Sequence, residues 1–192
     1  MRDFKNILAE TVLTRGLLLL IGLFAVAWIP PFTEYARNNF QYHQASGPAW
    51  DMWARWDAEW YLYIAEKGYI NEGLPAHYQD ATSGFLPLYP LLIRSLGVFL
   101  GNPILAGLLV SNASLLLFLW ILVRLGREAG IGPDECQRAS WYYLIFPASF
   151  FLSAAYAESL FLALTAGAFL MSHQKRWWVA GLLGCLAALC RP

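Results

Sequence analysis

Charge is scarce in this sequence. Of its 192 residues 14% are charged, against roughly 25% in soluble domains, and 58% are hydrophobic, so most of the chain is matched to lipid rather than to water. The 13 basic and 13 acidic side chains cancel. That balance excludes a polybasic membrane clamp and the electrostatic footprint of a nucleic-acid-binding protein. Cysteine is nearly absent: Cys136, Cys185 and Cys190 form no CxxC pair and no Cys/His cluster, which excludes a disulfide framework and a zinc site. His43, His77 and His173 are scattered without metal-ligand spacing, so no metal is assigned.

What the chain has instead is apolar runs. Arg2 and Lys5 precede a run that continues through Trp28 and Ile29 to Pro30-Pro31. Ala25-Val26-Ala27 has the small-x-small form of a signal-peptidase site, so a cleaved leader is one alternative. At about 20 residues the run matches a hydrocarbon core of ~30 Å, and an uncleaved first span over 12–31 is the reading adopted. Residues 32–102 form a long outer loop. Within it 32–84 is rich in Tyr, Trp, Asn, Gln and acids, and 85–101 is apolar but short, with Pro87, Pro90 and Arg94. That second part suits an interfacial or re-entrant helix better than a crossing.

From Pro103 to Val123 there is no charge, which predicts span 2 over 103–123. The apolar run from Ser140 to Ser172 holds one charge, Glu158. As one helix it would measure ~50 Å, too long for a single crossing, so it is expected to fold back as spans 3 (140–156) and 4 (158–172). Trp177-Trp178 opens span 5, residues 177–190. The expected fold is thus all-α, a single polytopic membrane bundle of about five spans whose outer loop contains interfacial helices.

The short connections carry Arg2 and Lys5, then Arg124, Arg127 and Arg138, then Lys175 and Arg176, all on one side of this bundle. The positive-inside rule makes that side cytoplasmic and puts residues 32–102 and Glu158 together on the opposite, extracytoplasmic or lumenal face. A further crossing at 85–101 would break the pattern.

The outer loop centres on Arg55-Trp56-Asp57. Trp50, Trp53, Trp56 and Trp60 recur at helical spacing, which predicts a stripe presented to lipid headgroups, or aromatic faces for stacking on sugar rings. Gly68 stands where a helix over 58–67 would end, which makes Asp57 its natural N-cap. The alternative is that Asp57 is a general base for a hydroxyl acceptor. Asp51 would lie about 240° around one helix from Asp57, so the two meet only if the chain turns between them. Glu158 is either a turn residue in water or a site carboxylate, because an acid inside lipid is costly. Arg191 emerges on the outer side, as a plain helix-end cation or as a phosphate ligand. Thr82-Ser83-Gly84 lacks a partner His in an apolar span, which weighs against a membrane protease.

Trp56-Asp57-Ala58, Tyr63-Ile64-Ala65, Gly68-Tyr69, Phe85-Leu86-Pro87-Leu88-Tyr89-Pro90, Phe146-Pro147-Ala148-Ser149 and Tyr156-Ala157-Glu158-Ser159, in this order, resemble the PIG-V family of membrane mannosyltransferases. These add the second mannose in GPI-anchor synthesis, and the family has bacterial homologues. Leu86 and Ala157 stand where the pattern has Phe and Ser. Arg191-Pro192 resembles a position normally followed by more chain, so the sequence is similar to the N-terminal half of such a protein and is expected to be incomplete at its C-terminus.

The resemblance implies a C-type glycosyltransferase that moves a sugar, with inversion, from a polyprenyl-phosphate (dolichyl-phosphate) donor to a hydroxyl of a glycolipid or glycan acceptor. No cofactor is implied, since the lipid-linked sugar is a co-substrate. Asp57 matches the family's loop acid and is expected to be catalytic. Asp51, Arg55, Trp56, Trp60, Tyr61, Tyr69, Tyr89, Glu158 and Arg191 are expected to bind substrate. Membrane lipid is an expected partner, nucleic acid is not, and a membrane-protein partner is an option. A multi-pass location follows, in the plasma membrane of a bacterium or the endoplasmic reticulum of a eukaryote. The alternatives are a non-catalytic membrane subunit that binds lipid or a partner, or an inactive fragment.

Overall fold

The computed structural model describes residues 2–29, 50, 52–69 and 81–191. Its elements are all helical: α1 (Arg2–Trp28), α2 (Asp57–Lys67), a 3-10 turn (Ala81–Gly84), α3 (Leu88–Leu100), α4 (Pro103–Glu128), α5 (Pro133–Ile145), a second 3-10 segment (Pro147–Leu152), α6 (Glu158–His173) and α7 (Trp177–Ala188). Among the described residues α1 and α4 are the two helices long and apolar enough to cross a membrane. Pro30-Pro31, at the end of the expected first span, lies outside the described residues, as do Asp51, His43 and His77.

The central element is α4, which packs against α6, α3, α5, α1 and α2. Its start is well specified: Asn102 caps it by accepting from the Leu105 N–H at 3.0 Å, and Pro103 occupies the first turn, where a missing N–H costs nothing. Close approach near its start depends on Gly107. A Cβ there would come within 3.1 Å of Ala155 and would crowd Tyr89, so any side chain would push α4 off its neighbours.

Polar ties show which ends of the helices share a side. Arg127 at the end of α4 donates to Asp3 of α1 at 2.6 Å, Gln137 of α5 donates to Glu10 at 2.7 Å, and Gln174 after α6 donates to Glu128 at 2.8 Å. These pairs put the connections bearing Lys5, Arg124, Arg127, Arg138, Lys175 and Arg176 at one end of the bundle. At the other end the loop before α2 meets the linker between α5 and α6, where the Ala155 N–H donates to the Trp53 carbonyl at 3.0 Å.

The stretch assigned to the third span, 140–156, is not one helix. The helix begins earlier, at Pro133, stops at Ile145, and gives way to a 3-10 segment and an irregular passage up to Glu158. Pro147 accounts for the stop, because its ring disfavours helix at the residue before it and removes an N–H. Side chains satisfy several of the freed carbonyls. Arg15 of α1 donates to the carbonyls of Leu144 (2.6 Å) and Ser149 (2.8 Å) and to the hydroxyls of Ser149 and Ser153 (both 3.2 Å). Asn112 donates to the Ser153 carbonyl at 3.0 Å, Ser111 to that of Tyr156 at 2.9 Å, and Ser159 to that of Leu152. Irregular backbone enclosed by other elements is tolerated only on such terms.

Replacing Arg15 with Met should therefore cost about 3 kcal/mol of stability, because carbonyls enclosed by apolar helices lose a charged donor. Arg15→Lys should recover only part of this, since an ammonium lacks the fork that reaches two carbonyls at once. Thermal unfolding of the purified protein in detergent measures both. Equal stability of Arg15→Met and the parent would show that the clamp contributes nothing.

Candidate active site

The Trp residues expected to line one helical face do not share a helix. Residues 52–56 run as turns, and Trp56 has φ 57 and ψ −121, a left-handed conformation that costs a bulky residue ~1–3 kcal/mol. Tertiary contacts hold it there. Trp53 is buried and stacks on Phe150 with ring centroids 5.0 Å apart, and the Tyr156 hydroxyl donates to the Arg55 carbonyl at 2.8 Å. With the chain pinned at both points, Trp56 is the residue that takes up the turn.

That turn starts α2 at Asp57. The expected N-cap role of Asp57 is not what the structure has: Trp56 is the N-cap, no side chain caps the helix, and Asp57 is its first residue. Its other end matches the sequence pattern, with Gly68 at φ 77 donating back to the Ile64 carbonyl at 2.8 Å. Asp57 is exposed, and its carboxylate has no hydrogen-bond or ion-pair partner among the described residues. It faces a cleft of about 330 Å³ lined by Trp56, Asp57, Phe151, Tyr156 and Glu158.

Glu158 begins α6 on the opposite wall. One carboxylate oxygen accepts from Arg191 at 2.7 Å; the other is buried with no hydrogen-bond partner among the described residues. Arg191 arrives from the end of α7, whose last turn is tied down by the Leu88 N–H donating to the Leu189 carbonyl at 3.0 Å and by the Cys190 thiol donating to the Ala157 carbonyl at 3.5 Å. Two carboxylates and a guanidinium therefore meet from segments far apart in the chain. Arg55, two residues before Asp57, has its side chain exposed. No group of three or more His, Cys, Asp or Glu that could hold a metal ion occurs among the described residues.

The other expected binding residues are placed differently. Tyr61, Trp60 and Tyr89 form an aromatic seam with Phe85, at centroid separations of 5.0 Å (Tyr61 to Phe85), 6.2 Å (Trp60 to Phe85) and 5.0 Å (Tyr61 to Tyr89), which fastens α2 to α3. Tyr89 is fully buried and donates to the Gly107 carbonyl at 3.1 Å, so it belongs to the core rather than to the cleft. Tyr69 is spent on the Phe85 carbonyl at 2.7 Å. Burial, followed by the charges of Glu158 and Asp57, pushes the Tyr61 phenol well above the ordinary tyrosine value, so beneath the cleft it is a neutral group. Asp51 lies outside the described residues. Phe151, Tyr156 and Arg15 are not among the residues that the sequence marks for the site. Tyr156 carried a signal, being next but one to Glu158 in a motif, whereas Phe151 and Arg15 looked like parts of apolar runs.

A family model described as mannosyltransferase (PIG-V) matches residues 5–191. The chain is 36% identical over 147 residues to GPI alpha-1,6-mannosyltransferase 2 of Mus musculus, a match covering 70% of this chain and 28% of the mouse protein. It is 32% identical over 145 residues to GPI alpha-1,6-mannosyltransferase 2 of Homo sapiens, with the same 70% and 28% coverage. To GPI mannosyltransferase 2 of Drosophila melanogaster it is 29% identical over 119 residues, covering 55% and 24%. The matched region thus spans less than a third of each relative's length. No solved structure matches the chain.

Because Arg191 and Glu158 keep 51% and 25% of their side-chain surface, solvent screens the pair and its coupling should be modest, about 1 kcal/mol. A double-mutant cycle of Glu158→Gln and Arg191→Gln in thermal unfolding measures it. A coupling of several kcal/mol would instead describe a fully desolvated pair.

Proposed function

The chain belongs to the mannosyltransferase (PIG-V) family, and on that premise we propose that it carries the catalytic loop of a membrane mannosyltransferase using a polyprenyl-phosphate sugar. The observation that carries this reading is the cleft in which the carboxylate of Asp57, without a partner among the described residues, faces Glu158, which is paired with Arg191. The acceptor hydroxyl oxygen attacks the anomeric carbon as Asp57 takes its proton. The bond from that carbon to the phosphate oxygen breaks on the far side, and the lipid phosphate leaves with the electron pair. The sugar is transferred with inversion. Arg191, paired with Glu158, is the cation suited to the phosphate, with exposed Arg55 two residues before Asp57 as a second, since a guanidinium fork matches phosphate oxygens. Trp56 offers a half-exposed ring on which a sugar can stack. The acceptor is a hydroxyl of a glycolipid or glycan.

The same reading takes the bundle as about five crossings. The basic connections at one end are cytoplasmic by the positive-inside rule, and the cleft opens on the extracytoplasmic or lumenal face. The membrane is that of the endoplasmic reticulum in a eukaryote and the plasma membrane in a bacterium. The competing reading is a non-catalytic subunit that binds a lipid or a partner in this cleft. It requires no base at residue 57.

Asp57→Asn preserves shape and removes the base, so transfer of mannose from a polyprenyl-phosphate donor should fall by roughly 10²–10⁴-fold. Thermal stability should hardly change, because the carboxylate has no partner to lose among the described residues. Undiminished transfer would leave the non-catalytic reading standing. Sidedness has its own check in a cysteine-free background. A cysteine replacing Lys67 should react with an impermeant maleimide from outside intact cells or from the lumen of sealed vesicles, and one replacing Arg138 only from the cytoplasmic side. Labelling of both from one side would refute the topology.

A further inference from the structure

We propose that the hollow between α5, the Pro147–Leu152 turn and α6 is the seat of the isoprenoid chain of the sugar-bearing lipid, an assignment that rests on reading the Asp57 cleft as a lipid-phosphate-sugar site. The hollow measures about 430 Å³ and is walled by Tyr142, Phe146, Ala148, Phe151 and Leu162, with Glu158 at one end. Phe151 and Glu158 also line the Asp57 cleft, so the two spaces adjoin. One is apolar and lies between α5 and α6; the other holds the carboxylates of Asp57 and Glu158, the latter paired with Arg191. A ligand that fills both is a chain of hydrocarbon with a polar, phosphate-bearing head.

The hollow exists because α5 stops early. Its 13 residues reach ~20 Å, short of a ~30 Å hydrocarbon core, and the chain then turns across the bundle. A continued helix would have covered the flank of α6 at Leu162. The turn's inner side is closed, with Ser149 and Leu152 buried and Arg15 holding the carbonyls of Leu144 and Ser149. Its outer side is open, with Tyr142 65% and Phe146 62% exposed. The backbone break thus gives an apolar recess with a rigid floor and an open side toward the bilayer, leading to Glu158 and the cleft beyond it. Continuity with the cleft is what distinguishes this recess from the plain apolar flank of α1.

The test uses a four-isoprene polyprenyl phosphate bearing a diazirine on its last isoprene unit, photolysed with the full chain in dioleoylphosphatidylcholine vesicles, the label being located by peptide mapping. Label should concentrate on residues 142–152 and on Leu162, and unlabelled polyprenyl phosphate should suppress it. Ala148→Trp, which fills the recess, should lower labelling about tenfold by excluding buried methylenes; Ala148→Leu should lower it less. Leu17→Trp, on the exposed flank of α1, should leave it unchanged. Label spread evenly over exposed apolar flanks, no response to Ala148→Trp and Ala148→Leu, or equal suppression by dioleoylphosphatidic acid would each overturn the assignment. Labelling needs no turnover. Wild-type protein that labels here but transfers no sugar would sink the enzymatic reading alone, and protein that transfers sugar but labels elsewhere would sink the recess alone.

Discussion

The structure depends on one constraint: a length of non-helical backbone between α5 and α6 lies among apolar helices, and each of its carbonyls must find a donor. Unsatisfied, such groups cost kilocalories each in an apolar medium. Arg15, Ser111, Asn112 and Ser159 supply the donors from three different helices. These few polar side chains in otherwise apolar segments therefore tie α1, α4 and α6 to one linker. The linker cannot move without stranding several groups at once, which makes it a rigid platform despite having no regular helix.

The candidate site is built on that platform. Tyr156 and Ala155 of the linker hold the backbone at Arg55 and Trp53, Phe150 takes the Trp53 ring, and Trp56 absorbs the resulting turn in a strained conformation. Asp57 follows as the first residue of α2, directed at the place where the linker ends and Glu158 begins α6. Strain at Trp56 and a buried Glu158 oxygen with no hydrogen-bond partner among the described residues are both unfavourable for folding alone. Features of that kind persist where surrounding contacts over-determine them, and they concentrate where a protein does chemistry.

Much of this was legible beforehand, and what was not has specific causes. The apolar run 103–123 announced α4, and Gly68 announced the end of α2, because both signals are local. The ties of α1, α4, α5 and α6 at one end agree with the grouping of Lys and Arg that the sequence displays. The Trp repeat misled: spacing of three and four describes a helical face only if the chain stays helical, and the pull of Phe150 on Trp53 prevents that. Asp57 as an N-cap misled for a related reason, since the helix begins one residue earlier when a tertiary turn imposes its start. Tyr89 matched a family motif yet serves the core, where its hydroxyl satisfies the Gly107 carbonyl.

By itself the sequence determined the class of this protein: apolar helices with scarce charge, one polar loop holding Asp57, basic residues segregated to one set of connections, and a string of motifs that places it in a family. Those are properties of composition, period and order along the chain. Only the tertiary structure decided which groups meet. Trp56 and Asp57, Phe151 to Glu158, and Arg191 come from three distant segments, and their convergence rests on a backbone break stabilised by an arginine that the sequence shows only as the residue before an apolar run. Local patterns carry no information about such a meeting, because the donors that make the break affordable lie on other helices.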